Sequence, residues 1–189
     1  MSTPTGHHVT NFTAPGMDSA PADKVIAILE ERMVATIDLQ LTLKHIHWNV
    51  VGPTFISVHE MLDPQVEAVR EMSDTLAERI ATLGGVPKGT PGSIVERRDW
   101  NDYSLGKASV REHLAALDVV YSGINSSHRE AINKLGELDP VSEDILIGDL
   151  AQLEKFQWFV RAHLESSAGE LLTAEIGSEE AAARAARSL

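Results

Sequence analysis

The sequence predicts an all-α fold: a four-helix bundle with one long crossover, carrying a short helix, between its second and third helices. Three observations predict it. Four segments of about 30 residues each carry apolar side chains at the three-and-four spacing of one helix face. The first and third links between them are short, while the middle one runs for about 20 residues. Alternating strand patterns are nearly absent.

The first helix is expected over residues 22–51, with Ile26, Leu29, Met33 and Ile37 on one stripe. Ala20 and Pro21 sit near its start, and Gly52 and Pro53 stop it. The second is expected over 54–83, on the stripe Phe55, Val58, Leu62, Val66, Val69, Leu76, Ile80 and Leu83, with Gly84 and Gly85 ending it. Pro64 lies inside that pattern and should bend the helix or remove one hydrogen bond. Residues 86–104 break the period, although "GSIVERR" suits a short helix. The third helix is expected over 105–136 and the fourth over 140–169, after the short link "GELDP". The expected organisation is a flexible N-terminal extension at 1–21, a bundle at 22–169 and a C-terminal tail at 170–189. The tail suits a partial helix in "SEEAAARAARSL" but offers no apolar stripe to bury. Two short links flanking one long crossover are the connectivity of ferritin-like bundles.

Composition narrows the function. With 189 residues and 43% hydrophobic content, one domain with an ordinary core is expected. No apolar run is long enough to span a membrane, and residues 1–24 lack the basic and apolar regions of a secretory signal. The absence of cysteine excludes disulfides, zinc–thiolate sites and iron–sulfur clusters, and a cytoplasmic location is expected. A net charge of −12 attracts cations and repels nucleic acid phosphates. The N-terminal 24 residues hold a single basic side chain, Lys24. In the tail Arg184 and Arg187 stand against Glu170, Glu175, Glu179 and Glu180. DNA binding is therefore expected to be weak or absent.

The stretch "HIHWNVVGPTFISVHEMLD", residues 45–63, and the following "SDTLAER" bring His47, His59, Asp63, Asp74 and Glu78 into one region. Singly, each has an ordinary reading as a solvated or satisfied polar group; the set carries the argument. Imidazole with carboxylate suits iron, manganese or zinc, and carboxylate-rich sets with open positions suit Fe(II) with dioxygen or peroxide. His59/Asp63 and Asp74/Glu78 are each spaced by four, so each pair shares a helix face. At 100° per residue these side chains point roughly 70° to 170° away from the apolar stripe of the second helix. They do not face the bundle core, and no Glu-x-x-His exists to build a site there. Asp63 and Asp74 lie about 16 Å apart along the helix, too far for carboxylates that bind metals at about 2.0–2.2 Å. One chain cannot close all five donors around one centre. A second chain, antiparallel across a two-fold axis, supplies the missing half and makes two equivalent sites.

The stretch "KHIHWNVVGPTFISVHEMLD", followed by "SDTLAERIATLGG" and later "KFQWF", resembles the signature of the Dps family, the small ferritins of starved bacterial cells. The resemblance covers about residues 22–169. It implies a hollow dodecamer built from two-fold dimers, which oxidises Fe(II), preferably with hydrogen peroxide, stores the ferric mineral inside and so protects against oxidative damage. It implies a ferroxidase centre shared between subunits, with His47, His59 and Asp63 from one chain and Asp74 and Glu78 from its partner. It also implies that Trp48, beside His47, and Trp158 act as local radical traps; the alternative for both is packing. His45 matches no ligand and reads as supporting or surface. By looser correspondence, the acidic run "GELDPVSEDILIGD" implies a negative pore drawing on Glu137, Asp139, Glu143 and Asp144, with Asp139 and Asp144 foremost. The competing reading of that run is a capped, solvated helix start.

Two other function classes compete with a ferroxidase store. One is a nucleoid-compacting, DNA-binding protein with an incidental metal site, against which the tail composition argues. The other is a purely structural bundle with a salt-bridged surface, which loss of iron oxidation in Asp74→Ala or His47→Ala would exclude.

Overall fold

The computed structural model describes residues 14–187. Helix α1 (Ser19–Asn49) begins in the extended backbone at Asp18 and runs with Pro21 in its first turn. It ends where Val50 turns extended, and Gly52, at φ 123°, reverses the chain. That positive φ is open to glycine and strained for other residues. Helix α2 (Phe55–Thr82) returns antiparallel to α1 and continues through Pro64, which lies on its exposed face. Gly84, at φ 87°, closes the end of α2.

The crossover carries helix α3 (Pro91–Arg97), the short helix expected at "GSIVERR", with Ile94 as its buried anchor. Three polar contacts pin it to α1. Arg97 donates to Glu30 at 2.7 Å, Arg98 to Asp38 at 3.0 Å and the Trp100 indole to Asp38 at 2.9 Å. The crossover ends in a two-residue parallel pairing, Val50–Val51 (β1) with Ala108–Ser109 (β2). Helix α4 (Val110–Leu135) starts later than its apolar period, because Ser109 and Glu112 form a capping box there. Helix α5 (Pro140–Ala162) starts on the Asp139 cap and stops earlier than its period, at His163.

The core divides into two apolar clusters along the bundle. One gathers Val25, Leu29, Met33, Leu76, Ile80, Leu83, Leu135 and Leu146. The larger gathers Leu39, Leu43, Ile46, Leu62, Leu114, Leu117, Tyr121, Leu153, Phe156 and Val160, among others. Along each helix the boundary falls at a polar residue: Thr36 on α1, Ser73 on α2, His128 on α4 and Asp149 on α5. Ser73 donates to Thr36 at 3.0 Å, which ties α1 to α2 at this level.

The C-terminal segment corrects one sequence reading. Helix α6 (Glu179–Arg187) does bury a stripe, made of Ala182, Ala183 and Ala186, and packs on α4. Alanine is too small to register as an apolar stripe, yet it lets two helices approach closely. Arg187 pairs with Glu112, Glu179 accepts the Ser104 amide at 2.7 Å, and Thr173 donates to the buried Asp118. No helix among the described residues is long and apolar enough to cross a membrane.

Candidate metal centre

The turn at Gly52 lays the last turns of α1 against the first turns of α2. His47 and His59 therefore stack, with ring centroids 3.6 Å apart. Each Nδ1 reaches the other residue's backbone carbonyl, His47 to His59 O at 3.0 Å and His59 to His47 O at 2.9 Å. A carbonyl oxygen only accepts, so each Nδ1 carries the proton. With Nδ1 engaged in this way, Nε2 is the ring nitrogen left to meet a metal.

Asp63, one turn beyond His59, is exposed, and its Oδ1 lies 3.3 Å from His47 Nδ1. The same oxygen accepts from Lys44 Nζ at 2.7 Å. The hydrogen bond from Lys44 holds the Asp63 carboxyl below the usual carboxylate range, with the two nearby imidazoles adding to it. Lys44 went unnoticed in the sequence; its position three residues before His47, on the same helix face, was the available signal. Phe55 closes the other side, edge-on to His59 at 5.8 Å.

Asp74 and Glu78 are exposed on the second half of α2. Asp74 lines an open, polar cleft of about 620 Å³ between α1 and α2, together with Gln40, Glu67 and Glu71. Asp63, Asp74 and Glu78 thus lie along the outer face of α2 with the half-buried His59, and the buried His47 meets His59 from α1. Among the described residues of one chain, no three His, Asp or Glu side chains are grouped so as to hold a metal ion.

The remaining residues singled out by sequence fall as follows. Trp48 is 71% exposed and Trp158 63% exposed, so neither anchors the core of its own chain. His45 is half-buried; its Nε2 meets the Leu105 carbonyl at 2.8 Å and its ring meets Tyr103 edge-on, so it holds the end of the crossover. Of the four acids near the last link, Glu137 and Asp144 are exposed and Glu143 is half-buried. Asp139 is 3% exposed. It accepts from Arg79 at 2.7 Å and from Ser142, so its carboxylate is engaged as a helix cap and an ion pair.

Comparison with known proteins agrees with the fold. The ferritin-like domain model matches residues 26–168. The "DNA protection during starvation protein" of Mycolicibacterium smegmatis is 55% identical over 179 residues, covering 95% of this chain and 98% of that protein. The tetragonal form of Mycobacterium smegmatis Dps superposes with a TM-score of 0.85 at 57% identity, over 86% of this chain and 98% of the other. DpsA14 from Streptomyces coelicolor gives 0.85 at 56% identity, over 86% and 97%. With a family model spanning most of the bundle and a relative matched almost end to end, the chain belongs to the ferritin-like family and, within it, to the Dps proteins.

Proposed function

We propose that this protein is a ferroxidase and iron store of the mini-ferritin kind. It oxidises Fe(II), preferably with hydrogen peroxide, and keeps the ferric product inside a hollow dodecamer built from two-fold dimers. The observation that carries this reading is the pair of stacked histidines, each with its Nδ1 on the other's backbone carbonyl and its Nε2 left over, beside Asp63.

In this reading His47, His59 and Asp63 of one chain and Asp74 and Glu78 of a second bind ferrous iron as substrate. Nitrogen and carboxylate donors of this kind bind Fe(II) and stabilise the higher charge of Fe(III), which favours loss of the electron. Two ferrous ions give two electrons to one peroxide, so hydroxyl radical is not released. Trp48, exposed beside His47, is placed to intercept a stray oxidant as a local radical trap. Negative charge at Glu137, Glu143 and Asp144 concentrates Fe(II) at an entry pore. DNA is protected chemically, by removal of iron and peroxide. With a net charge of −12, tight binding to DNA is not expected, and the location is cytoplasmic. Retardation of DNA that survives ordinary salt in a mobility-shift assay is the result that would favour the nucleoid-compacting reading instead.

The test is complementation between broken sites. His47→Ala and Asp74→Ala each abolish peroxide-dependent Fe(II) oxidation when expressed alone. Co-expressed, they form mixed pairs in which one of the two sites is whole, and about one quarter of the parent activity returns. Activity that survives in either single variant sinks the site assignment. Failure to recover in the mixture sinks the sharing between chains.

A further inference from the structure

The outer face of α2 carries a register code for pairing with a second copy of the chain. His59, Asp63, Glu67, Arg70, Asp74 and Glu78 fall within an arc of about 100° at helical spacing. All six are exposed except the half-buried His59. In an antiparallel pairing across a two-fold axis, facing residues have numbers with a constant sum. Bringing Asp63 to Asp74 of the partner subunit sets that sum at 137. Bringing His59 to Glu78 of the partner subunit sets the same sum, because both donor pairs are spaced by four. The axis then passes between residues 68 and 69, and each site lies about 11 Å from it along the helix.

That register places Glu67 directly opposite Arg70 of the partner subunit, and by symmetry Arg70 opposite Glu67 of the partner subunit. Both side chains are available. They are 71% and 68% exposed, and within one chain they form a loose ion pair at 3.7 Å, which at such exposure is worth little and leaves both free to pair across the axis. Slips by three residues, close to one helical turn, are penalised. In one direction the two Glu67 side chains face each other, and in the other the two Arg70 side chains do. Like charges in register disfavour both errors. We propose that Glu67 and Arg70 form two reciprocal ion pairs at the two-fold axis. They set the register of the dimer and so position the two halves of each metal site. The inference rests on the shared-site reading above.

Charge reversal with mixing tests it. Glu67→Arg leaves two arginines at the axis in each chain, and Arg70→Glu leaves two glutamates. Each variant alone is expected to show two-fold association weakened about tenfold, measured by native mass spectrometry with an isotopically labelled second chain. Mixed one to one, the two variants pair arginine with glutamate across the axis, and mixed pairs exceed the statistical share. The contact within each chain stays like-charged in the mixture, so recovery comes only from across the interface. Association unchanged in the single variants, or mixed pairs at the statistical share, overturns the proposal. Co(II) titration of the mixed pairs separates this from the metal reading. Enriched mixed pairs that bind Co(II) no differently when His47→Ala is added support the register and remove the metal site alone.

Discussion

The Lys44 ammonium lies 2.7 Å from Asp63 Oδ1 and so occupies the oxygen that the proposed site offers to a cation. That hydrogen bond lowers a carboxyl that is already ionised at neutral pH, so binding there releases no proton from it. It also means that a cation must displace Lys44 or share the carboxylate with it. Both groups are partly solvated, so the competition is modest. Lys44→Gln is expected to tighten Co(II) binding about five- to tenfold, read by calorimetry with this slowly oxidised cation. Equal or weaker affinity in the variant would show that Lys44 supports the site.

Two buried groups give stability opposite dependences on pH. Burial, reinforced by the Arg32 charge, pushes His128 down to about 4 from an ordinary 6.5. Between those values the unfolded chain binds the extra proton, so stability falls as pH drops from 6.5 towards 4. Burial pushes Asp149 up to about 6 from an ordinary 3.8. There the folded chain binds the extra proton, so stability falls as pH rises from 3.8 towards 6. Each effect is worth about 3 kcal/mol across its window, and between pH 4 and 6 they largely cancel. Urea unfolding of Asp149→Asn is expected to show stability climbing with pH over that range, and of His128→Asn to show it declining. Slopes matching the parent in both variants would contradict the burial of these groups.

The bundle was legible because four long helices each carry an apolar stripe and every link has a Gly or Pro signal. Helix ends were less so. The start of α4 is set by the Ser109–Glu112 box and not by the apolar period that begins near residue 105. The four-residue spacing of His59/Asp63 and Asp74/Glu78 was legible, and the outward placement of Asp63, Asp74 and Glu78 on α2 follows from angles alone. What spacing cannot give is the partner of each side chain. Lys44 on Asp63 and Arg79 on Asp139 join residues 19 and 60 positions apart, and no local pattern encodes such pairs. The alanine stripe of α6 escaped because its packing depends on small size, which a hydropathy pattern does not register.

Asp118 fastens the C-terminal segment to the bundle. Its carboxylate is 2% exposed and accepts from Arg161 and Gln157 on α5 and from Thr173 beyond it. Asp118→Ala takes the acceptor from the buried Thr173 hydroxyl, while Gln157 and the half-exposed Arg161 keep Ser122, and the loss costs about 1–2 kcal/mol. The variant is expected to unfold at lower urea and to be cut by trypsin at Arg184 or Arg187 well before the bundle is degraded. Loss of global stability with an unchanged cleavage rate at those sites would show that Asp118 does not hold the segment.

Asp139 and Asp144 separate structure from ion entry. Burial raises the Asp139 carboxyl, but the hydrogen bonds from Ser142 and Arg79 outweigh it and hold the group below its ordinary value. The pair joins the end of α2 to the start of α5, with Arg79 also donating to Ser142 at 3.0 Å. Asp139→Asn therefore removes the charge opposite a largely buried guanidinium, which keeps Ser142, and is expected to cost about 2 kcal/mol, seen as a lower melting temperature. Asp144 is exposed on the first turns of α5, where substitution changes stability by no more than about 0.5 kcal/mol. If Asp144 attracts Fe(II) to a pore, Asp144→Asn slows iron uptake by the assembled protein severalfold at low salt. Charge steering is screened over about 10 Å at 0.1 M salt, so the difference narrows as salt rises. An uptake defect that persists undiminished at high salt, or none at low salt, would remove Asp144 from the path of the ion.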